Sequence, residues 1–318
     1  MRTYILRRAL LVPLTVLGVS FLVSAVFELL PGNVADIILA ESGGFNTDLT
    51  RSSIEADLGL DKSFVVRWFN WLGNVAQGDF GEYFRGGRDV GGELQHRLPI
   101  TLQLAGMALI ISLAIAIPIG VLSAIRQDSL VDYVSRSIAI FLLAAPSFWL
   151  GVMFFVLVGN NAGWLLPPVV YNDLWEDPWL NMKQMWAPAV ILAFAGAGSV
   201  MRLTRSQMLE VLRQDYVRTA WSKGLTERAV IVRHAMRNAF IPVLSLIGVQ
   251  INILISGAIV LELIFGLPGL GTMLLTALST REYLAVQGVL LLVATMIVLS
   301  NFLVDIGYTL LDPRIRFS

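Results

Sequence analysis

Runs of about twenty apolar residues, the length a helix needs to cross a bilayer, recur along this chain and limit its fold more than any other feature. Six segments qualify: Ala9–Leu30, Thr101–Ile125, Ser137–Val158, Trp186–Met201, Pro242–Leu263 and Leu284–Leu303, the fourth being the shortest and the last able to run on to Leu311. Backbone groups in lipid must pair within their own segment, which selects helices over open sheets. The runs are also too long and unbroken for barrel strands, which alternate over short stretches. The expected fold is all-α integral membrane with six transmembrane helices. Composition agrees: 56% of residues are hydrophobic and 14% charged, against about 45–50% and about 25% in soluble domains. Arg2, Arg7 and Arg8 before the first run resemble a signal peptide. Such signals have apolar cores of about 7–15 residues, so an uncleaved first span is expected.

Several chemistries are excluded. The chain has no cysteine, which removes disulfides, thiolates and iron–sulfur clusters. Its two histidines, His96 and His234, lie far apart, and no metal-binding or Ser/His/Asp pattern is visible. Phe265–Gly271 reads FGLPGLG but lacks a following Lys-Ser or Lys-Thr, so it is no nucleotide-binding P-loop. Its glycines and proline should instead end the fifth helix in a re-entrant or scoop-like turn.

Between the fourth and fifth runs lies a polar island, Arg202 to Asn238, with eight Lys/Arg. Each charge at the bilayer centre costs about 2.5–3.5 kcal/mol, so the island must emerge from the membrane. Leu209, Leu212, Tyr216 and Ala220 fall at helical spacing from Arg205 to Trp221. Gly224 should end that helix, and Thr226 with Glu227 should start another bearing Val230, Ile231, His234 and Ala235 on one face. A solvated, merely topogenic loop needs neither the stripe nor the glycine. The pattern points to a protein-docking element of two short helices.

Charge sets the orientation. The N-terminus, 126–136, the island and the tail carry fifteen Lys/Arg; 31–98, 159–185 and 264–283 carry eight. The positive-inside bias therefore places both termini in the cytoplasm. On the other side, 31–98 is read as a small helical region with amphipathic helices at Thr50–Leu60 and Val65–Val75. Their apolar faces are expected to pack on each other or on the membrane, with a docking surface for an external partner as the alternative. Trp164, Trp175, Trp179 and Tyr171 in 159–185 read as an interfacial aromatic belt, with cargo stacking as the alternative.

Specific residues now carry a resemblance. Asp215-Tyr216-Val217-Arg218-Thr219-Ala220, Lys223-Gly224-Leu225, Arg233-His234-Ala235-Met236-Arg237-Asn238 and Ile241-Pro242 resemble the cytoplasmic EAA-type loop of ABC importer permeases, specifically the B-type subunit of the dipeptide/oligopeptide/nickel family. Similar matches occur at Leu58-Gly59-Leu60-Asp61, Gly78-Asp79-Phe80-Gly81, Arg97-Leu98-Pro99, Ala145-Pro146-Ser147-Phe148-Trp149, Glu262-Leu263-Ile264-Phe265, Pro268-Gly269-Leu270-Gly271, Arg281-Glu282-Tyr283, Asp305, Tyr308 and Asp312-Pro313-Arg314. Two departures stand out. Arg218-Thr219-Ala220 replaces the general Glu-Ala-Ala, and Glu282 stands where the family more often has Asp.

The resemblance implies a type I ABC importer permease fold, with 1–30 as first helix, 31–98 as extracytoplasmic region, 99–311 as the transmembrane core including a coupling loop at 202–240, and 312–318 as tail. It implies a non-catalytic subunit of the bacterial inner membrane. This chain would bind no cofactor; ATP and Mg would sit on two partner ATPase subunits. A homologous second permease and an extracytoplasmic substrate-binding protein would complete the assembly, in membrane lipid and without nucleic acid. Coupling to the ATPases would fall on Leu212, Asp215, Tyr216, Val217, Arg218, Thr219, Ala220, Lys223 and Gly224. An outer gate would involve Glu262, Phe265, Pro268 and Gly269, unless Glu262 simply reaches the aqueous interface. Pro118 and Pro146 are equally bending points or inert kinks, and Asp305 is expected to snorkel to the surface. Cargo is expected to be di- or oligopeptide, with nickel chelates and oligosaccharides as alternatives. A channel or secondary transporter is the rival class. It is disfavoured because the span interiors are almost free of charge and show no repeat.

Overall fold

The computed structural model describes residues 2–29, 62–159 and 170–311. The expected helix at Thr50–Leu60, the Leu58–Asp61 and Asp312–Arg314 matches, Trp164, and the side chains of Asp305 and Tyr308 lie outside the described residues. The described chain is helical, with one isolated antiparallel bridge, Glu82 to Asp89. The helices are α1 (Arg2–Leu29), α2 (Phe64–Ala76), α3 (Val90–Ile125), α4 (Leu130–Ala144), α5 (Ser147–Gly159), α6 (Pro178–Leu212), α7 (Asp215–Ser222), α8 (Met236–Phe265), α9 (Leu270–Thr280) and α10 (Tyr283–Leu311). A helical turn at Glu227–Ala229 and a π-helical stretch at Val230–Ala235 lead into α8. Among the described residues, five helices are long and apolar enough to cross a membrane, and α4 with α5 forms a sixth candidate bent by 99°.

The residues cluster into two units, one built from 98–272 with both chain ends, the other from 10–97 and 273–296. In the first, α6 is the central element and packs on α4, α5 and α8. Its small residues permit the close approach that membrane helices use in place of hydrophobic driving force. A Cβ on Gly198 would lie 2.6 Å from the Ala139 carbonyl, and one on Gly196 would lie 2.8 Å from Gln250 Oε1. Being surrounded by protein rather than lipid, α6 needs less apolarity: its hydropathy is 1.4, against 2.2–2.6 for the other single-helix spans. This is why the sequence makes the fourth span short, Trp186–Met201, whereas the helix runs from Pro178 to Leu212.

The two proline positions part company. Pro118 stays inside a continuous α3, whereas Pro146 sits at the sharp break between α4 and α5. Proline disfavours helical backbone in the residue before it, and Ala145 is extended, φ −82° and ψ 115°. The third span thus begins at Leu130, not Ser137, capped by Ser129.

In the second unit, α2 packs on α1 through Phe21. That ring meets Phe64 and Trp68 edge-on with centroids 5.4 and 5.3 Å apart. Trp68 Nε1 also donates to Ser20 Oγ, and Arg67 pairs with Glu28. Val65 and Phe69 of the same helix remain exposed.

Candidate functional site

The polar island does not fold as one helix followed by a second short one. Its first part continues α6 to Leu212; the chain then breaks at Arg213–Gln214 before α7. The stripe Leu209, Leu212, Tyr216, Ala220 therefore spans two elements. Gln214 is extended at the start of α7. Gly224 does end α7, in the left-handed region at φ +75°, with Lys223 N donating to Thr219 O. Thr226 starts the next turn in extended geometry, but its side chain makes no capping bond. That turn merges through the π-helical stretch into α8 rather than forming a separate helix.

The anchoring face of α7 is Val217 and Ala220. Both are buried in a cluster with Met208, Val211, Val230, Ala235 and Ala239. Leu212 is half-buried against it. Tyr216 points outward, 40% exposed, with its hydroxyl accepting from Asn238 Nδ2 at 2.7 Å. Asp215, Arg218, Thr219, Lys223 and Gly224 are exposed. Trp221 and Leu225, neither among the residues to which the resemblance assigns coupling, are exposed at 46% and 38%. A short helix is thus fixed from below by aliphatic contacts and presents one tyrosine, one tryptophan and two cations. Tyrosine, tryptophan and arginine are the side chains that most often anchor protein interfaces.

A buried ion pair stands in the same unit. Asp132, fully buried at the start of α4, receives Arg205 Nε at 2.6 Å and Nη2 at 2.7 Å from α6. Ser123 Oγ of α3 donates at 2.6 Å, and the Asp128 amide at 3.1 Å. The carboxylate's acceptor sites are therefore well used, as a buried charge requires. Arg205 is one of the island's basic residues, yet it serves the interior. The Ser129-x-x-Asp132 spacing before an apolar run is a capping signature that marks this helix start in sequence; the Arg205 partnership has no such signature.

The glycine-rich turn encloses Glu262, which does not reach water. It is fully buried. Its carboxylate accepts from Thr101 Oγ1 at 2.6 Å and Gly271 N at 2.7 Å, while Thr101 Oγ1 accepts from Leu270 N at 2.9 Å. The acid thus sits at the N-terminus of α9, where free amides and the helix dipole favour an anion. Gly269 and Gly271 pass so close that a Cβ would lie 2.3 Å from Glu262 Cδ and 2.5 Å from Ile259 Cα respectively. Gly266 caps α8 at φ +66°. Phe265 is buried, with its ring 4.9 Å from Phe155 and 5.7 Å from Phe154, and Pro268 is half-buried. The four gate candidates are therefore brought together in one packed knot, with Thr101 as a member the sequence did not single out.

Glu282 organises the second unit. It is buried and accepts from Phe84 N at 2.7 Å and Arg85 N at 3.0 Å. Among the described residues no group of three or more His, Asp or Glu is placed to hold a metal.

Comparison with known proteins adds four findings. The family model described as binding-protein-dependent transport system inner membrane component matches residues 116–317. The dipeptide transport system permease protein of Escherichia coli (strain K12) is 38% identical over 340 residues, covering 99% of each chain. That of Alkalihalophilus pseudofirmus is 34% identical over 338 residues, covering 100% of both. Among solved structures, the crystal structure of an amino acid ABC transporter with histidines has the same fold. It superposes with TM-score 0.52 at 14% identity over 68% of this chain and 93% of that one.

Proposed function

Since this chain belongs to the family of binding-protein-dependent transport system inner membrane components, we propose that it is one half of the permease of an ATP-driven importer of di- or oligopeptides. It works in the bacterial cytoplasmic membrane with both termini inside, beside a homologous second permease. Two ATPase subunits, carrying ATP and Mg, drive it, and an extracytoplasmic binding protein supplies cargo. Full-length similarity to dipeptide permeases supports the peptide cargo. The excess of Lys/Arg on alternate connections supports the orientation.

The observation that carries the mechanism is α7. Val217 and Ala220 lock this short helix to the ends of α6 and α8, while Tyr216, Arg218, Trp221 and Leu225 project. A cleft on an ATPase that takes these side chains moves α7, and α7 moves α6 and α8 with it as packed elements. Asp132 and Arg205 carry the same displacement into α4. Rigid-body rocking of the two permease halves then alternates access to the cargo path. The Glu262 carboxylate holds the first turn of α9 to the end of α8 during that motion.

Co-expression with the ATPases and second permease tests this. The complex in lipid vesicles should take up dipeptide only with ATP, and Trp221→Ala should abolish uptake while leaving the permease folded. Dipeptide uptake by the wild-type complex without ATP would contradict the reading.

A further inference from the structure

The apolar helices α8 and α10 carry a polar cluster on an accessible face. Asn252 of α8 donates from Nδ2 to Asn301 Oδ1 of α10 at 3.0 Å, and Ser300 Oγ donates to Asn252 Oδ1 at 3.0 Å. Asn301 is exposed and Asn252 half-exposed. One turn along, Ser256 is exposed too, its hydroxyl turned to the Asn252 carbonyl at 3.0 Å. Asn252 lies thirteen residues before the end of α8, about 20 Å from it at 1.5 Å per residue. That places the cluster well inside the hydrocarbon depth of about 30 Å. Both helices belong to spans of hydropathy 2.2, so the amides are exceptions in otherwise lipid-compatible segments.

Polar side chains at such depth face a protein interior or water, because lipid supplies no hydrogen-bond partner. The internal bonds leave the Asn301 amide nitrogen without a partner among the described residues. Outside this chain, two surroundings would satisfy it: a helix of the second permease, or a wet path. Tight packing on another helix relies on small residues, and the α8 glycines nearby are spent inside this chain. Gly248 faces Val304 and Gly257 faces Leu192, with Cβ clearances of 2.7 and 2.8 Å. On the exposed face the amides are flanked instead by Val249, Ile253 and Val260. A donor-and-acceptor amide pair set among aliphatic side chains matches a peptide backbone, which offers the same amide groups whatever its side chains.

We infer that Asn252 and Asn301 form a polar station in the transport path that hydrogen-bonds the backbone amides of a passing peptide. This rests on the permease reading above and adds the contact residues. It accounts for cargo recognition that is indifferent to peptide sequence at this depth.

The absence of cysteine permits a direct test. Asn301→Cys, Ser256→Cys and, as a lipid-facing control on α1, Leu14→Cys are each made in this chain, assembled with cysteine-free partner subunits in vesicles. A charged, water-soluble methanethiosulfonate should modify the first two and not the third, and saturating trialanine should slow the modification. In parallel, Asn252→Ala and Asn301→Ala should raise the KM for ATP-driven trialanine uptake by about 2- to 12-fold each, the range for one lost neutral hydrogen bond, with kcat unchanged. Unreactive cysteines at 301 and 256 would overturn the inference and assign the face to the second permease or to lipid. Reactive cysteines indifferent to trialanine, with unchanged KM, would overturn it as well. In both cases wild-type uptake remains intact and the permease reading survives. A wild-type complex that transports no peptide at all would sink both together.

Discussion

Arg205 grips Asp132 through two nitrogens, at 2.6 and 2.7 Å, and so ties α6 to the first turn of α4. Asp132 is fully buried, so neither partner is dispensable alone. Arg205→Met should destabilise the chain by about 3–5 kcal/mol, because it leaves Asp132 buried with only Arg136, at 4.0 Å, as a counter-charge; Asp132→Ala should cost less, since Arg205 keeps 20% of its side chain exposed. The double change Asp132→Leu with Arg205→Met should recover most of that loss. Denaturant titration of the detergent-solubilised protein measures both; a double variant as unstable as the singles would show that the pair does more than neutralise itself.

The inward and outward faces of α7 should separate in mutagenesis. Val217→Asp puts a charge into a fully buried site and should loosen α7, lowering thermal stability as well as transport. Trp221→Ala removes a ring that is 46% exposed, so it should cost far less stability than a charge at Val217 while binding of the ATPases weakens. Paired melting curves and co-purification with the ATPases test the contrast. Equal loss of stability in both variants would remove the argument for a docking face.

Two glycines should respond unequally to alanine. At Gly224 the added methyl meets nothing within 4 Å, so the cost is the left-handed backbone alone, about 1 kcal/mol. At Gly271 it would meet the Ile259 backbone and the Glu262 carboxylate, at 2.5 and 2.8 Å. Overpacking of that kind costs about 1–3 kcal/mol or more. Gly271→Ala should therefore reduce the amount of folded protein recovered, and Gly224→Ala should not, as read by size-exclusion chromatography.

Glu282→Gln should free part of the segment it holds. Loss of a charged acceptor for the amides of Phe84 and Arg85 is worth about 1–3 kcal/mol. Hydrogen exchange at those two amides should quicken, with little change in α6, where no bond to Glu282 exists. Unchanged protection at 84 and 85 would contradict the assignment.

What could be seen in the sequence follows from the range of the physics involved. Hydropathy locates the spans, and Gly224 and Gly266 end their helices as local backbone demands require; the starts of the third and fourth spans, at Leu130 and Pro178, lie outside the apolar runs that mark them. The end of α6 was hidden because the apolar period from Leu209 to Ala220 runs unbroken across the interruption at Arg213–Gln214. The extent of α6 was hidden because a helix enclosed by protein needs little lipid-facing surface. Asp132 with Arg205 and Thr101 with Glu262 could not be paired, since nothing local links residues 73 and 161 positions apart. Glu262 illustrates the consequence: an acid beside a glycine turn reads as solvent-seeking, until a threonine and a helix N-terminus supply its partners.

The central claim is that α7 transmits the work of partner ATPases to this permease. Its most direct test is ATP-driven dipeptide uptake into vesicles holding the assembled complex, with ATP hydrolysis measured on the same sample. Trp221→Ala should leave the chain in the membrane and folded, yet abolish uptake and its link to hydrolysis. Wild-type uptake in that variant, at undiminished yield per ATP, would contradict the claim.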